Sequence, residues 1–126
     1  MKKEIFVIAL LAAMLTAAIA NVWYLNKLTD EVIAAAENAA NLAAAGKWSD
    51  AQSAAEAAAK KWEEREGYTH MVLRHSEIEQ CTEVLNDLRK EIYMKEEGGV
   101  RGALAAVRSQ MTSIASIERV KLGSIF

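Results

Sequence analysis

The chain has 126 residues, with 15 basic and 17 acidic side chains, and its 52% hydrophobic content is mostly aliphatic because aromatics supply only 6%. Proline is absent and Cys81 is the single cysteine, which excludes proline-rich, collagen-like and disulfide-framework classes. A net charge of −2 gives no electrostatic reason to expect a nucleic-acid partner, and the length allows one small domain.

Alanine fills 24 positions, fourteen of them between residues 34 and 59. With no proline to interrupt a helix, this composition predicts an all-α fold.

The first element is a membrane segment. Ile5 to Leu25 carries no charge, and 21 residues rising about 1.5 Å each span roughly 30 Å, the hydrocarbon thickness of a bilayer. Lys2 and Lys3 precede the run, so the N-terminus is expected to stay cytoplasmic and residues 26–126 to be extracytoplasmic. Trp23 and Tyr24 fall where interfacial aromatics sit. The domains expected are therefore an anchor over 1–25 and an exported helical domain over 26–126. A cleaved signal peptide is the competing reading, because Ala18-Ile19-Ala20 is a small-x-small site. Apolarity continues past that site through Leu25, which favours the uncleaved anchor. Both readings export the body.

Beyond the anchor, glycines punctuate a helical pattern. Leu25, Leu28, Val32, Ala35, Ala39 and Leu42 form one stripe, and the helix is expected to run unbroken from about Glu4 to Ala45 and stop at Gly46. Trp48, Ala51, Ala55, Ala58 and Trp62 form the next stripe, with Ser49 and Gln52 as a capping box. GKWSDAQSAA superficially resembles a tetratricopeptide unit, but it has no second copy, so a repeat array is rejected. Ile78, Cys81, Leu85, Leu88 and Ile92 make a third stripe. One interior glycine is tolerable, so a single long helix is predicted from about Ser49 to Glu96, bent near Gly67 and ended by Gly98-Gly99. Ser76 with Glu79 also matches a capping box, which would instead start a helix there. Val100, Leu104, Val107, Met111, Ile114 and Ile117 stripe a last helix, and Ile125-Phe126 is left as an apolar tail. The architecture expected is a transmembrane helix continuing into a small antiparallel bundle of three helices.

The densest polar cluster is HMVLRHSEIE, residues 70–79. His75 and Glu79 share a helical face, whereas His70 would point about 140° away on a continuous helix. Glu118 lies four residues after Ile114, on the predicted buried stripe. His75, Glu79 and Glu118 are therefore expected to form a polar core contact between the long helix and the returning one. They fall short of a zinc site, which needs three or four ligands. Cys81 reads as a small core hydrophobe, and Lys60 to Glu66 as a solvated face. No glycine-rich phosphate loop, nucleophile elbow or HExxH occurs, so no catalytic residue, cofactor or metal is assigned.

The lysine-led anchor, the helix containing Trp62, the segment His75-Ser76-Glu77-Ile78-Glu79 and Glu118 ahead of Ser124-Ile125-Phe126 together resemble a small bacterial membrane-anchored family, domain of unknown function 4363. That family reads H-x-E-I-D around the histidine, and Glu79 stands here where aspartate is more usual. The resemblance implies architecture and location and supplies no activity. The function expected is a non-enzymatic interaction or structural role in the cell envelope, with an unknown protein or a second copy as partner. The alternatives are a small-ligand or metal-binding envelope protein using His75, Glu79 and Glu118, and a secreted soluble bundle.

Overall fold

The computed structural model describes residues 1–124 with their side chains and the backbone of Ile125; the expected Ile125-Phe126 apolar tail lies outside the described residues. Five helices and no strand occur among the described residues: α1 (Lys2–Ala44), α2 (Trp48–Glu63), α3 (Glu66–Val72), α4 (His75–Tyr93) and α5 (Glu97–Ile125).

Neither glycine nor proline lies between Lys2 and Ala45, and α1 runs for 43 residues without a break. It stops where the sequence places its stop. Gly46 has φ +77, its N–H donates to the Ala43 carbonyl at 3.0 Å, and Lys47 N–H donates to the Leu42 carbonyl at 2.9 Å. This is a Schellman cap, which a residue without Cβ forms free of strain. α2 begins at Trp48 with no side-chain cap bond, so the Ser49–Gln52 box does not form.

α1 packs against α2 and α5, and α4 packs against the same two, leaving α1 and α4 diagonal. The body is thus an up-down-up-down four-helix bundle, not the three-helix one expected. We call the end where the free N-terminal segment of α1 emerges the base, and the opposite end the tip. The predicted helix over 49–96 is broken twice at the base. α2 closes at Glu63, and Leu73 and Arg74 adopt extended backbone (ψ 156° and 146°) before α4. The first break, at Glu64–Arg65, falls two residues before Gly67, near where a bend is expected, although Gly67 itself lies inside α3. The cause is tertiary. A continuous 48-residue helix would be about 72 Å long and would carry Ile78–Ile92 past the base, where no bundle partner exists. Reversing the chain buries that stripe instead. α4 starts one residue ahead of the Ser76 expected as cap, and Glu77 accepts the Arg74 N–H at 3.3 Å.

The tip turn between α4 and α5 also differs from expectation. Gly98 and Gly99 fall within α5, and the reversal is made by Lys95, at φ 58. Lys95 N–H and Glu96 N–H donate to the carbonyls of Ile92 and Glu91 at 3.1 and 3.0 Å, a second Schellman cap formed with a side chain in place. A left-handed non-glycine residue costs about 1–2 kcal/mol, and glycine returns part of this as unfolded-chain entropy. Lys95→Gly is therefore expected to stabilise the protein by about 0.5–1 kcal/mol, read as a higher urea midpoint at unchanged slope.

The core has two unlike halves. Ala36, Ala39, Ala40 and Ala43 of α1 are buried, as are Ala51, Ala55, Ala58 and Ala59 of α2, so small residues line both helices of this packed pair. Trp62 closes the base end of this seam. On the other side, Ile78, Leu85, Leu88 and Ile92 of α4 and Val100, Val107, Met111 and Ile114 of α5 are buried in the same core. The α4 stripe is as predicted; in α1 the buried positions include Ala36 and Ala43, with Ala35 and Leu42 half-buried beside them. Ion pairs fix register on the surface. Arg108 reaches Glu37 at 2.6 Å between α5 and α1, and Arg89 reaches Glu56 at 3.2 Å between α4 and α2. Exposed pairs of this kind are worth about 0.2–1 kcal/mol each.

Candidate functional site

The polar groups that are both buried and organised lie at the base. Glu118 occupies a core position of α5, 6% exposed, as its place four residues after Ile114 predicts. Its partners are not the predicted ones. Asn21 Nδ2 donates to Glu118 Oε2 at 3.3 Å, and Lys121 Nζ lies 3.1 Å from Oε1. The Tyr68 hydroxyl donates in turn to Asn21 Oδ1. Burial raises the Tyr68 phenol above its ordinary value, helped by neighbouring Tyr24 and by the Glu118 carboxylate, which keeps the hydroxyl a donor. One amide thus joins α1 to α3 and to α5 at the point where α1 enters the bundle.

Aromatic groups surround this network. The Tyr24 and Tyr68 rings lie 4.4 Å apart at 59°, and the Arg65 guanidinium sits 6.0 Å from the Tyr24 ring centre. Trp23 points the other way, exposed, with Lys27 Nζ 5.4 Å above its ring. The two residues expected at an interface therefore divide: Trp23 faces outward and Tyr24 is half-buried against α3. Arg119 donates to Asn26 Oδ1 at 3.0 Å one turn further into the bundle.

The predicted contact among His75, Glu79 and Glu118 does not form. His75 Nε2 meets Glu79 Oε1 at 2.8 Å, as i,i+4 spacing requires, but the pair is on the surface, with side chains 75% and 67% exposed. α4 buries Ile78 and Cys81 on its inner face, and His75 and Glu79 lie one step round from them, toward solvent. The break at Leu73–Arg74 also undoes the expected separation of the histidines: the His70 and His75 rings stack at 6.2 Å. Among the described residues, no group of three or more His, Cys, Asp or Glu side chains converges as a metal site would need.

Cys81 is buried on the α4 stripe, as expected of a core hydrophobe. Burial pushes its thiol up to about 12, while a side-chain hydrogen bond with Gln110 pulls the other way. A thiol held so firmly protonated is unsuited to nucleophilic work at neutral pH.

Sequence reading missed Asn21 and Tyr68. A signal for Asn21 was present, because it is the one amide in the uncharged run from Ile5 to Leu25, and a hydrogen-bonding group in such a run needs an internal partner. Double-mutant cycles distinguish the two arrangements. Asn21→Ala with Glu118→Ala is expected to show coupling of about 0.5–3 kcal/mol, whereas His75→Ala with Glu118→Ala should be additive within about 0.5 kcal/mol. Urea unfolding of the full chain in micelles measures both.

No curated protein and no solved structure matches the chain. A family model described as Domain of unknown function (DUF4363) matches residues 19–125, which include the whole bundle and the network at its base. The chain belongs to that family.

Proposed function

We propose that this is a single-pass bacterial membrane protein, anchored by residues 5–25 with its N-terminus cytoplasmic, whose extracytoplasmic four-helix bundle serves a non-enzymatic interaction or structural role in the cell envelope. The observation that carries the reading is α1. Residues 1–17 are all exposed, including Ile5, Phe6, Val7, Ile8, Leu10, Leu11 and Met14, and the same helix continues without a break into the core at Leu25. So large an apolar surface is tolerable in lipid and not in water. Lys2 and Lys3 ahead of it support the N-in orientation.

Cleavage after Ala20 would cut within a continuous helix and leave Asn21, the joint of the basal network, at a free chain end. That favours the uncleaved anchor. Tyr93 and Met94, exposed at the tip, are the large apolar side chains best placed for a protein partner or a second copy. No observation favours the metal-binding alternative, since Glu118 is engaged by Asn21 and Lys121, away from the His75–Glu79 pair.

A reporter that folds only in an oxidising compartment, fused after Phe126, is expected to be active. The mature chain should keep its full-length mass. Activity of a cytoplasm-only reporter at that position would overturn the topology, and a mass corresponding to loss of residues 1–20 would replace the anchor with a signal peptide. Crosslinking in intact cells reads out the partner.

A further inference from the structure

The free part of α1 is too short for the membrane it is proposed to cross. From Ala18 onward, side chains of α1 turn into the bundle: Ala18 is half-buried, Asn21 meets α5 and α3, and Tyr24 meets α3. The segment clear of the bundle is Ile5 to Ala17, whose thirteen residues span about 20 Å against roughly 30 Å of hydrocarbon. The missing stretch, about 10 Å, equals some seven residues of helix. It coincides with the part of α1 that the base surrounds.

The base carries the surface that immersion would need. Met71, one turn beyond Tyr68 on α3, is 84% exposed. Val120, two residues beyond Glu118 on α5, is 65% exposed and borders a shallow groove with Ser116, Ile117, Lys121 and Ser124. Trp23, two residues past Asn21 on α1, is exposed as well. Three helices thus each present an apolar side chain around the emerging anchor. The half-buried and buried polar groups where α1 enters are satisfied inside the protein, Asn21 by Tyr68 and Glu118, and Glu118 by Lys121, as a low-dielectric setting demands. His70 and Arg74 near Met71 are exposed, as the polar headgroup side of the boundary allows. Arg119 and Lys121, which flank Val120, are themselves engaged within the protein, by Asn26 and Glu118.

We propose that the base of the bundle is itself a lipid-contacting surface, with Met71 of α3 and Val120 of α5 set at the acyl–headgroup boundary of the outer leaflet. The occupant is the phospholipid surface surrounding α1. This rests on the anchor reading and deepens it: the bundle is sunk into the membrane instead of standing clear of it on a stalk. Insertion is driven by apolar area, so zwitterionic lipid suffices.

The test uses the full chain in phosphatidylcholine vesicles with one spin label at a time, after Leu10→Cys, Met71→Cys, Val120→Cys or Tyr93→Cys. All four side chains are exposed, so the replacements leave the core intact, and buried Cys81 stays unlabelled. Accessibility to oxygen, which concentrates in lipid, is compared with accessibility to a water-soluble nickel complex. The oxygen-to-nickel ratio at positions 71 and 120 is expected to be severalfold above that at position 93 and to approach that at position 10. A lipid-like position 10 with water-like positions 71 and 120 would overturn the immersed base and leave the anchor standing. A lipid-like reading at only one of 71 and 120 also overturns it, because contact through both helices is asserted. A water-like position 10 would remove the anchor and the inference together.

Discussion

Trp62→Ala is expected to cost about 3–5 kcal/mol of unfolding free energy, while Trp62→Phe should cost less than about 1 kcal/mol. Trp62 ends α2 at the base and is 1% exposed, the largest of the fully buried side chains. The seam above it is lined by alanines, which cannot collapse into the space an indole vacates, so truncation opens a cavity that the bundle keeps. The phenylalanine variant separates volume from polarity. Trp62 Nε1 is buried with no hydrogen-bond partner among the described residues, and such a donor costs about 1–3 kcal/mol. Phenylalanine removes that donor while giving up the contacts of one ring, and the two effects nearly offset. Urea unfolding of the full chain in micelles, followed by far-UV circular dichroism, measures both variants. A phenylalanine loss as large as the alanine loss would mean that the indole N–H contributes through a bond after all.

The contrast between what was legible in the sequence and what was not follows the range of the interactions. α1 could be read end to end because everything that fixes it is local: an uncharged run, alanine-rich continuation, and a glycine at the C′ position. The Ile78–Ile92 stripe and the core placement of Glu118 were legible for the same reason, since spacing along one helix decides both. The breaks at Glu64–Arg65 and Leu73–Arg74 were not. No proline or glycine pair marks them, and Gly67 beside them is helical. They exist because α4 must return along α2 to bury its stripe, a demand visible only once the helices are assembled. The same reversal decides the site. It brings Tyr68 to Asn21, 47 residues away in sequence, and stacks His70 on His75, which a continuous helix would have held apart. At the tip, Lys95 in the left-handed region stands where the turn needs glycine, while the glycine pair three residues on falls inside a helix.

The two halves of the core should respond to mutation in opposite senses. Leu88→Ala is expected to cost about 2–5 kcal/mol, because Leu88 is fully buried on the α4 stripe that packs α4 into the bundle, with Leu85 and Ile92 a turn to either side. Between α1 and α2 the sensitivity is to added volume. Ala39 and Ala55 are buried on helices held close by alanine on both faces, so Ala39→Leu or Ala55→Leu must push the helices apart or force strained rotamers, at about 1–3 kcal/mol. A leucine is thus stabilising at position 88 and destabilising at position 39, although both sites are wholly buried. Hydrophobicity alone predicts the wrong sign for the second substitution; helix separation predicts both. The check is unfolding of Leu88→Ala, Ala39→Leu and the double variant. The double variant should lose the sum of the single losses, since a void on the α4 stripe cannot accommodate a leucine wedged between α1 and α2. Rescue of Ala39→Leu by Leu88→Ala would show instead that the two halves share one deformable core.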